Sequence, residues 1–421
     1  MAVYTVVKTV GTTSRQYSTL QNWHDGAPTD LTTAEKSAAT TFLTGTFTAG
    51  MSLTFVGSGA TGKLLETDST GPGSGTYLVY GITAGNPAAS DVVTGTGGSP
   101  PTCVLTSGTA DNVGVIWQGQ CYNDSEFTSA ANQLTVSGST SSSTCYKELT
   151  TATGQSFRDN ANVQTNALKY NVSNGVGVKT TNAYAITIDV NEGYFRMSNL
   201  QALSEGFGYA AVRLVGTNCT AKNCIIEKSA GISGTSYGVL NVDSADSSII
   251  NTVVSYLNNM GASTRLINCE NHGPITFTNC TVVVASDKTL TGIGIRGTYC
   301  NLVITNCAVF GITTPASGTG SITLSTCYTD ATLAGWTTVT YDTSTGSGFQ
   351  GTTAAASDWR IKSTSALKDA GTTDSSASPD IAGTTRPQGS AYDVGVWELV
   401  AAGGSFPIGA RSHRYPAIAR H

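Results

Sequence analysis

Residues 275–285 read ITFTNCTVVVA: a short alternating stretch, then Asn279-Cys280, then a second apolar run. The same pair recurs in TAKNCIIEK around Cys224, in LVITNCAVF around Cys307 and in LINCE around Cys269. A disulfide framework, a metal site or one rung of a repeat could each place an Asn beside a Cys. The segments YFRMSNLQAL (194–203), CTAKNCIIEK (219–228), SSIINTVVSY (247–256), PITFTNCTVVV (274–284), NLVITNCAVF (301–310) and SITLSTCYTD (321–330) decide between them. Each is a short alternating strand, a polar corner residue, then Cys, Thr or Leu and a second short strand. Asn holds the corner at 199, 223, 251, 279 and 306, and Thr326 holds it last, in steps of 24, 28, 28, 27 and 20 residues. An upstream strand keeps the same beat in AVRLV, GVLNV, STRLI and GIGIR.

A period of this length, built from short strands with no helix, marks a stacked coil. Each turn of a parallel β-solenoid rises by about 4.8 Å, so equivalent side chains lie above one another. Asn at a bend tolerates a left-handed backbone and can bond the Asn of the next coil. The following Cys points inward as a small hydrophobe. The expected ladder comprises Asn223, Cys224, Asn251, Asn279, Cys280, Asn306 and Cys307.

Composition agrees with an all-β chain. Only 12 % of the 421 residues are charged, against roughly 25 % in ordinary domains, and Gly, Thr, Val and Ile are abundant. A net charge of −5 gives no footprint for nucleic acid. No run approaches the ~18 apolar residues of a membrane span, and MAVYTVVKTVG lacks the pattern of a signal peptide. The chain is therefore expected to be made in a cytoplasm and to leave it, if at all, within an assembly. The ten cysteines include no C-x-x-C pair, and His24, His272, His413 and His421 lack zinc-ligand spacing. No metal or cofactor is expected. Cys219 with Cys224, and Cys300 with Cys307, are close enough in sequence to bridge a turn.

Five regions follow. Residues 1–39 hold one strand and a short helix opened by a capping-box pattern at Ser18 to Gln21, with Leu20 and Trp23 on one side. Residues 40–110 read as a small inserted β-domain, in which SLTFVGSGATGKL (52–64) and DVVTGTGGSPPTCVL (91–105) look like two copies of one hairpin. Residues 111–356 carry the coils, 357–399 form a closing segment, and 400–421 are a basic tail with Arg411, Arg414 and Arg420. The tail is either a loosely docked end or a peg for an acidic neighbour. Solenoid ends need caps; the N-terminal helix and the closing segment are expected to supply them.

The coils together with RPQGSAYDVGVWE (386–398) resemble the right-handed parallel β-helix, or pectate-lyase-like, superfamily. Asp393, Gly395 and Glu398 match a closing segment common there, while Val396 and Trp397 depart from it. RQYSTLQNWHDGAP (15–28) followed by WQGQCYNDSEF (117–127) is similar to the start of β-helix proteins frequent in phages. The resemblance implies an all-β right-handed parallel β-helix and a virion protein: a spike, fibre or decoration on head, neck or tail. It also implies a homotrimer that contacts other virion proteins and host surface polysaccharide. Because this fold hosts enzymes and inert fibres alike, a polysaccharide depolymerase and a bacterial surface adhesin stay open.

Hydrolysis of a glycan needs two carboxylates about 5 to 9.5 Å apart. Asp243 and Asp246 lie in one turn of the coils, and Glu270 and His272 lie in the corresponding turn one coil later. These four are the catalytic candidates. Arg213, Arg265 and Arg296 fall in equivalent strands and are candidates for a glycan-binding column. Asp189 and Glu192 form a second acidic pair. The plainer account makes the two aspartates turn residues bonding their own backbone and the arginines a solvated face.

Overall fold

The computed structural model describes residues 3–400, leaving out 34, 49, 68–76, 89, 98, 107–110, 183, 208, 231–237, 260–263, 271–272 and 289–290. The chain is nearly all β, with 41 % strand and 3 % helix. From Asp111 it runs in rotation through three parallel sheets. The first sheet includes Lys147–Thr151, Arg196–Ser198, Thr220–Lys222, Ser247–Ile250, Pro274–Thr278, Asn301–Thr305 and Ile322–Ser325. The second includes Gly177–Thr180, Gln201–Ser204, Ile225–Lys228, Val253–Tyr256, Thr281–Val284, Ala308–Phe310 and Cys327–Thr329. The third runs from Leu134–Val136 through Ile188–Val190, Val212–Leu214, Leu240–Val242, Arg265–Glu270 and Ile293–Thr298 to Thr314–Gly318. Within each sheet a strand pairs in parallel with its counterpart from the neighbouring circuit, as in Ile249↔Phe277↔Ile304 and Val254↔Val282↔Val309. This arrangement is consistent with a β-helix-like solenoid.

The repeat reflects what alternation does to side chains in each strand. Ile226, Val254, Val282 and Val309 of the second sheet point into one continuous core with Ile249, Phe277 and Ile304 of the first and Leu240, Ile267 and Ile295 of the third. The corner between first and second sheets is where the ladder falls. Asn199, Asn223, Asn251, Asn279 and Asn306 have φ between +46° and +61°, and Thr326 follows at +52°. Asn tolerates this region better than most side chains. Asn223 donates to the Oδ1 of Asn199 at 3.3 Å, Asn251 to that of Asn223 at 3.2 Å, and Asn306 to that of Asn279 at 3.1 Å. LINCE does not belong to this set: Asn268 and Cys269 lie inside a third-sheet strand.

Cys224, Cys280, Cys307 and Cys327, one place after the corner, face the core as expected. All ten cysteines are free and buried, so neither turn-bridging pair is joined. Burial pushes the thiols of Cys103, Cys219 and Cys224 up to about 12 and that of Cys327 to about 11. Since the thiolate is the reactive form, iodoacetamide at pH 8 should leave the native chain essentially unlabelled and modify ten cysteines after denaturation, read by intact mass. Rapid labelling of the native chain would contradict this placement.

The second sheet is buried on both faces, and the closing segment is the reason. Ile225, Val253, Val283, Ala308 and Phe310 point outward, into a second core with Phe157 and Leu168 and with Phe349, Trp359, Leu367, Val394, Val396 and Trp397. Residues 357–399 thus lie along the side of the sheets, not as the end cap expected from sequence. They also clasp the ladder. Asn251 donates to the carbonyls of Ala377 and Pro379, both at 2.9 Å, Asn279 to those of Asp393 (3.0 Å) and Gly395 (3.1 Å), and Asn306 to that of Thr372 (2.6 Å). Gly395 has φ +89°, and a Cβ there would approach the Thr281 hydroxyl to 2.7 Å.

Asn279 therefore combines a left-handed backbone with two buried bonds to the closing segment. Asn279→Ala should cost about 2–4 kcal/mol in chemical denaturation, from the two lost bonds to the closing segment, the Asn306 amide left without its acceptor and the strained φ. Asn279→Gly, which relieves only the strain, should recover roughly 1 kcal/mol of it. Equal losses for the two variants would show that the backbone conformation contributes nothing.

At the other end, Val3–Val10 pairs in parallel with the strand Asp111–Cys121, and the helix Leu20–Asp25 buries Leu20 and Trp23 in the main core. Thr19, not Ser18, is its N-cap, accepting from the Asn22 N–H. Gln21 instead bridges outward, its Oε1 accepting from the Thr135 N–H at 2.8 Å. Gly119 is required beneath this helix, because a Cβ would meet the Trp23 ring at 2.6 Å.

Between helix and coils lies an antiparallel sheet with a separate core that includes Phe47, Leu53, Phe55, Leu64, Tyr80, Val93 and Leu105. Ser52–Phe55 pairs with Thr61–Thr67, and Val92–Thr94 with Thr102–Leu105. These are the two hairpins read from sequence. They pair with each other through Thr54↔Thr94 and Phe55↔Val93. The Asp91 carboxylate accepts from the Ser58 N–H at 2.8 Å and so holds the Gly-rich turn of the first hairpin.

Candidate functional site

The middle residues of the third-sheet strands form an outward column. Register places Thr135, Asp189, Arg213, Asn241, Asn268, Arg296 and Ser317 one above another, while flanking residues such as Leu240, Val242, Ile267 and Cys269 point into the core. Arg213 donates to both oxygens of Asp189, at 2.7 and 2.8 Å. Asn268 donates to Asn241 Oδ1 at 3.2 Å and to Glu270 Oε1 at 2.9 Å. Arg265 Nη1 donates to Asn268 Oδ1 at 3.0 Å, and its buried Nε has no hydrogen-bond partner among the described residues.

Asp243 sits just beyond the strand. Burial raises its pKa, the Glu270 charge raises it further, and Arg213 pulls it back. The structure thus brings together Arg213, Asp243, Glu270 and, through Asn268, Arg265. Arg296 is one rung further along the column. Arg265 is not in the column, since its register partner is Ile293; its guanidinium reaches the column from three residues upstream. Asp246 is an exposed corner residue at φ +57°, a turn role. His272 lies outside the described residues, as does the basic tail beyond residue 400.

Asp189 and Glu192 divide between two ion pairs. Asp189 serves Arg213, while Glu192 is buried against Lys147 at 2.7 Å and accepts from the Ser139 N–H at 3.0 Å. Both are bound in place by cations, which suits structure better than proton transfer.

Asp189, Asn241 and Asn268 are themselves buried, so the groups this face presents are the half-buried Arg213 and Arg296 with Asp243 and Glu270 at the strand ends, donors and acceptors able to bond hydroxyls. The sequence reading set Asn268 among the Asn-Cys pairs and did not single out Asn241, although their 27-residue step matches the coil period. Elsewhere a cleft of about 520 Å³ opens where three circuits leave the second sheet, lined by Asp330, Lys288 and Tyr341 among others. None of those residues stands out in the sequence. Compared with known proteins, the chain matches no family model, no curated protein and no solved structure.

Proposed function

We propose that the chain is a structural virion protein of phage type, a right-handed parallel β-helix serving as a spike, fibre or decoration on the particle. One observation carries the reading: parallel pairing runs unbroken along the first sheet from Val3–Val10 to Ile322–Ser325. At about 4.8 Å per strand, those rungs give a rod of about 40 Å. Right-handedness is the general rule for parallel crossovers. Paired backbone in every rung makes such a rod stiff and protease-resistant without a cofactor. In this reading the protein acts as a homotrimer beside other virion proteins, and the polar column of the third sheet meets host surface polysaccharide.

Immunogold electron microscopy of purified particles, with antibody to this chain, tests the proposal. Gold at head, neck or tail is the expected result; unlabelled particles, with the protein free or on cells, would overturn it. A depolymerase is the second reading, supported by the electrostatic contact of Asp243 with Glu270 beside Arg213. There, Asp243→Asn with Glu270→Gln should abolish release of reducing sugar from host polysaccharide while leaving the melting temperature nearly unchanged. Unaltered release would remove these residues from any catalytic role.

A further inference from the structure

The cleft at the second-to-third sheet corner is assembled by the repeat. Ser286 and Lys288 follow the strand Thr281–Val284, Thr313 follows Ala308–Phe310, and Asp330 and Thr332 follow Cys327–Thr329. Three circuits therefore place polar groups at the same point around the coil, and Tyr341 adds a wall. The Tyr341 hydroxyl donates to the Val284 carbonyl at 2.7 Å, and its ring lies tilted against Phe310 and edge-on to Phe349, with centroids at 5.6 and 6.2 Å. Gly311 keeps the space beside that ring open: its φ is +72°, and a Cβ would come within 3.0 Å of the ring.

The hydrogen-bonding inventory of the cleft is one-sided. The Ser286 hydroxyl spends its proton on Thr352 Oγ1 at 2.9 Å and the Thr313 hydroxyl spends its own on the Gly292 carbonyl at 3.1 Å, so both retain lone pairs as acceptors. The Asp330 carboxyl accepts from the Gly311 N–H at 3.0 Å and is also held by the Ile312 N–H and its own; with about four lone-pair sites it keeps acceptor capacity. Lys288 supplies donors at the rim, its charge matched by Asp287 at 3.3 Å. A ligand complementary to this set brings many O–H donors, no net negative charge toward Asp330 and a flat apolar face for Tyr341.

We infer that the cleft is a binding subsite for one uncharged pyranose unit of a saccharide. Among the described residues a single carboxyl lines it, without the paired acids of glycoside hydrolysis, and the inference is of binding, not cleavage. A cavity of this volume falls within the range of small-ligand sites. The inference stands apart from the virion reading, since particle labelling and sugar binding succeed or fail independently.

Saturation-transfer NMR on the full chain tests it, with methyl α-glucoside, methyl α-galactoside, methyl α-mannoside and N-acetylglucosamine as probes and N-acetylneuraminic acid as the anionic control. At least one neutral probe should receive saturation at its ring protons. Thr332→Trp places an indole at the cleft mouth from an exposed position and should abolish the signal with the melting temperature unchanged. Asp330→Asn should weaken binding at least about tenfold, as expected for losing a charge-assisted bond. Linear oligomers of the responding sugar separate two sources: affinity that rises with length marks a polysaccharide subsite, and equal affinity marks a free monosaccharide site. No response to any neutral probe, a response that survives Thr332→Trp, or equal binding of the anionic control would each overturn the inference.

Discussion

Arg386→Ala should destabilise the closing segment by about 3–5 kcal/mol, the loss expected when one partner of a buried ionic cluster is removed. The Arg386 side chain is fully buried, and it donates to the carbonyls of Asp393 at 2.7 Å and Gly395 at 2.8 Å. Those two carbonyls also receive Asn279 from the ladder. Three acids surround the guanidinium, and each organises backbone. Asp380 accepts from Ala382, Thr384 and Glu398, Asp393 from Asp369 and Leu399, and Glu398 from Gln388 and Asp393. Burial lowers the Arg386 pKa, and all three acids oppose that effect without overcoming it. Without the cation these carboxyls remain buried and mutually repelling. Limited proteolysis with thermal melting would locate the effect: cleavage within residues 372–398 should appear well before the coils yield. Arg386→Lys should rescue little, because an ammonium cannot span two carbonyls as the guanidinium fork does. A loss below about 1 kcal/mol for Arg386→Ala would mean that the acids are neutral or solvated and the cluster is not what holds the segment.

How much of this was legible beforehand depends on whether a feature repeats. The ladder was readable because parallel stacking imposes the same demand at Asn223, Asn251, Asn279 and Asn306, so chemistry recurs with the coil period. The course of residues 357–399 was not, because nothing repeats in a segment that crosses many rungs once. One available signal was passed over: VVVA at 282–285 is continuously apolar, where a sheet with one solvated face would alternate. Such a run needs cover on both sides, and Phe349, Trp359 and Val396 provide the outer one. Arg265 was placed with Arg213 and Arg296 by counting along similar strands, yet its strand begins earlier and shifts it out of the column. The cleft lay beyond reach for a different reason. Its groups sit in loops of unlike sequence, and only the stacking of three circuits makes Lys288, Thr313 and Asp330 neighbours.

Stability should fall as pH rises from about 5 to about 7.5, opposite to the trend of proteins whose acids are mostly salt-bridged. Burial pushes Glu398 and Glu227 up to about 7 from an ordinary value of 4.5. Glu227 is almost fully buried beside residues 169–170, where the Ser255 hydroxyl, at 3.0 Å, and the Tyr170 N–H donate to it without offsetting that burial. Each group therefore binds a proton more tightly in the folded chain than in the unfolded one. Its stabilisation is complete below about 4.5 and is lost as pH climbs through about 7, a change of order 2–3 kcal/mol per group. Asp380, Asp393, Asp330 and Asp243 are also raised by burial and act in the same sense from a lower starting point. The lowered acids, among them Asp124 beside Arg15 and Asp342 in its turn, act oppositely, but only below about 4. Lys228, depressed by burial to about 8, adds stability only as pH rises past that value. The minimum should thus fall near pH 7 to 8, with a melting temperature roughly 5 °C below that at pH 5. Glu227→Gln, which keeps shape but carries no charge, should flatten the curve and raise the melting temperature at pH 8. A curve that is flat or rising between pH 5 and 7.5 would show that these carboxyls are ionised in the folded chain, with Arg386 able to balance all three acids around it.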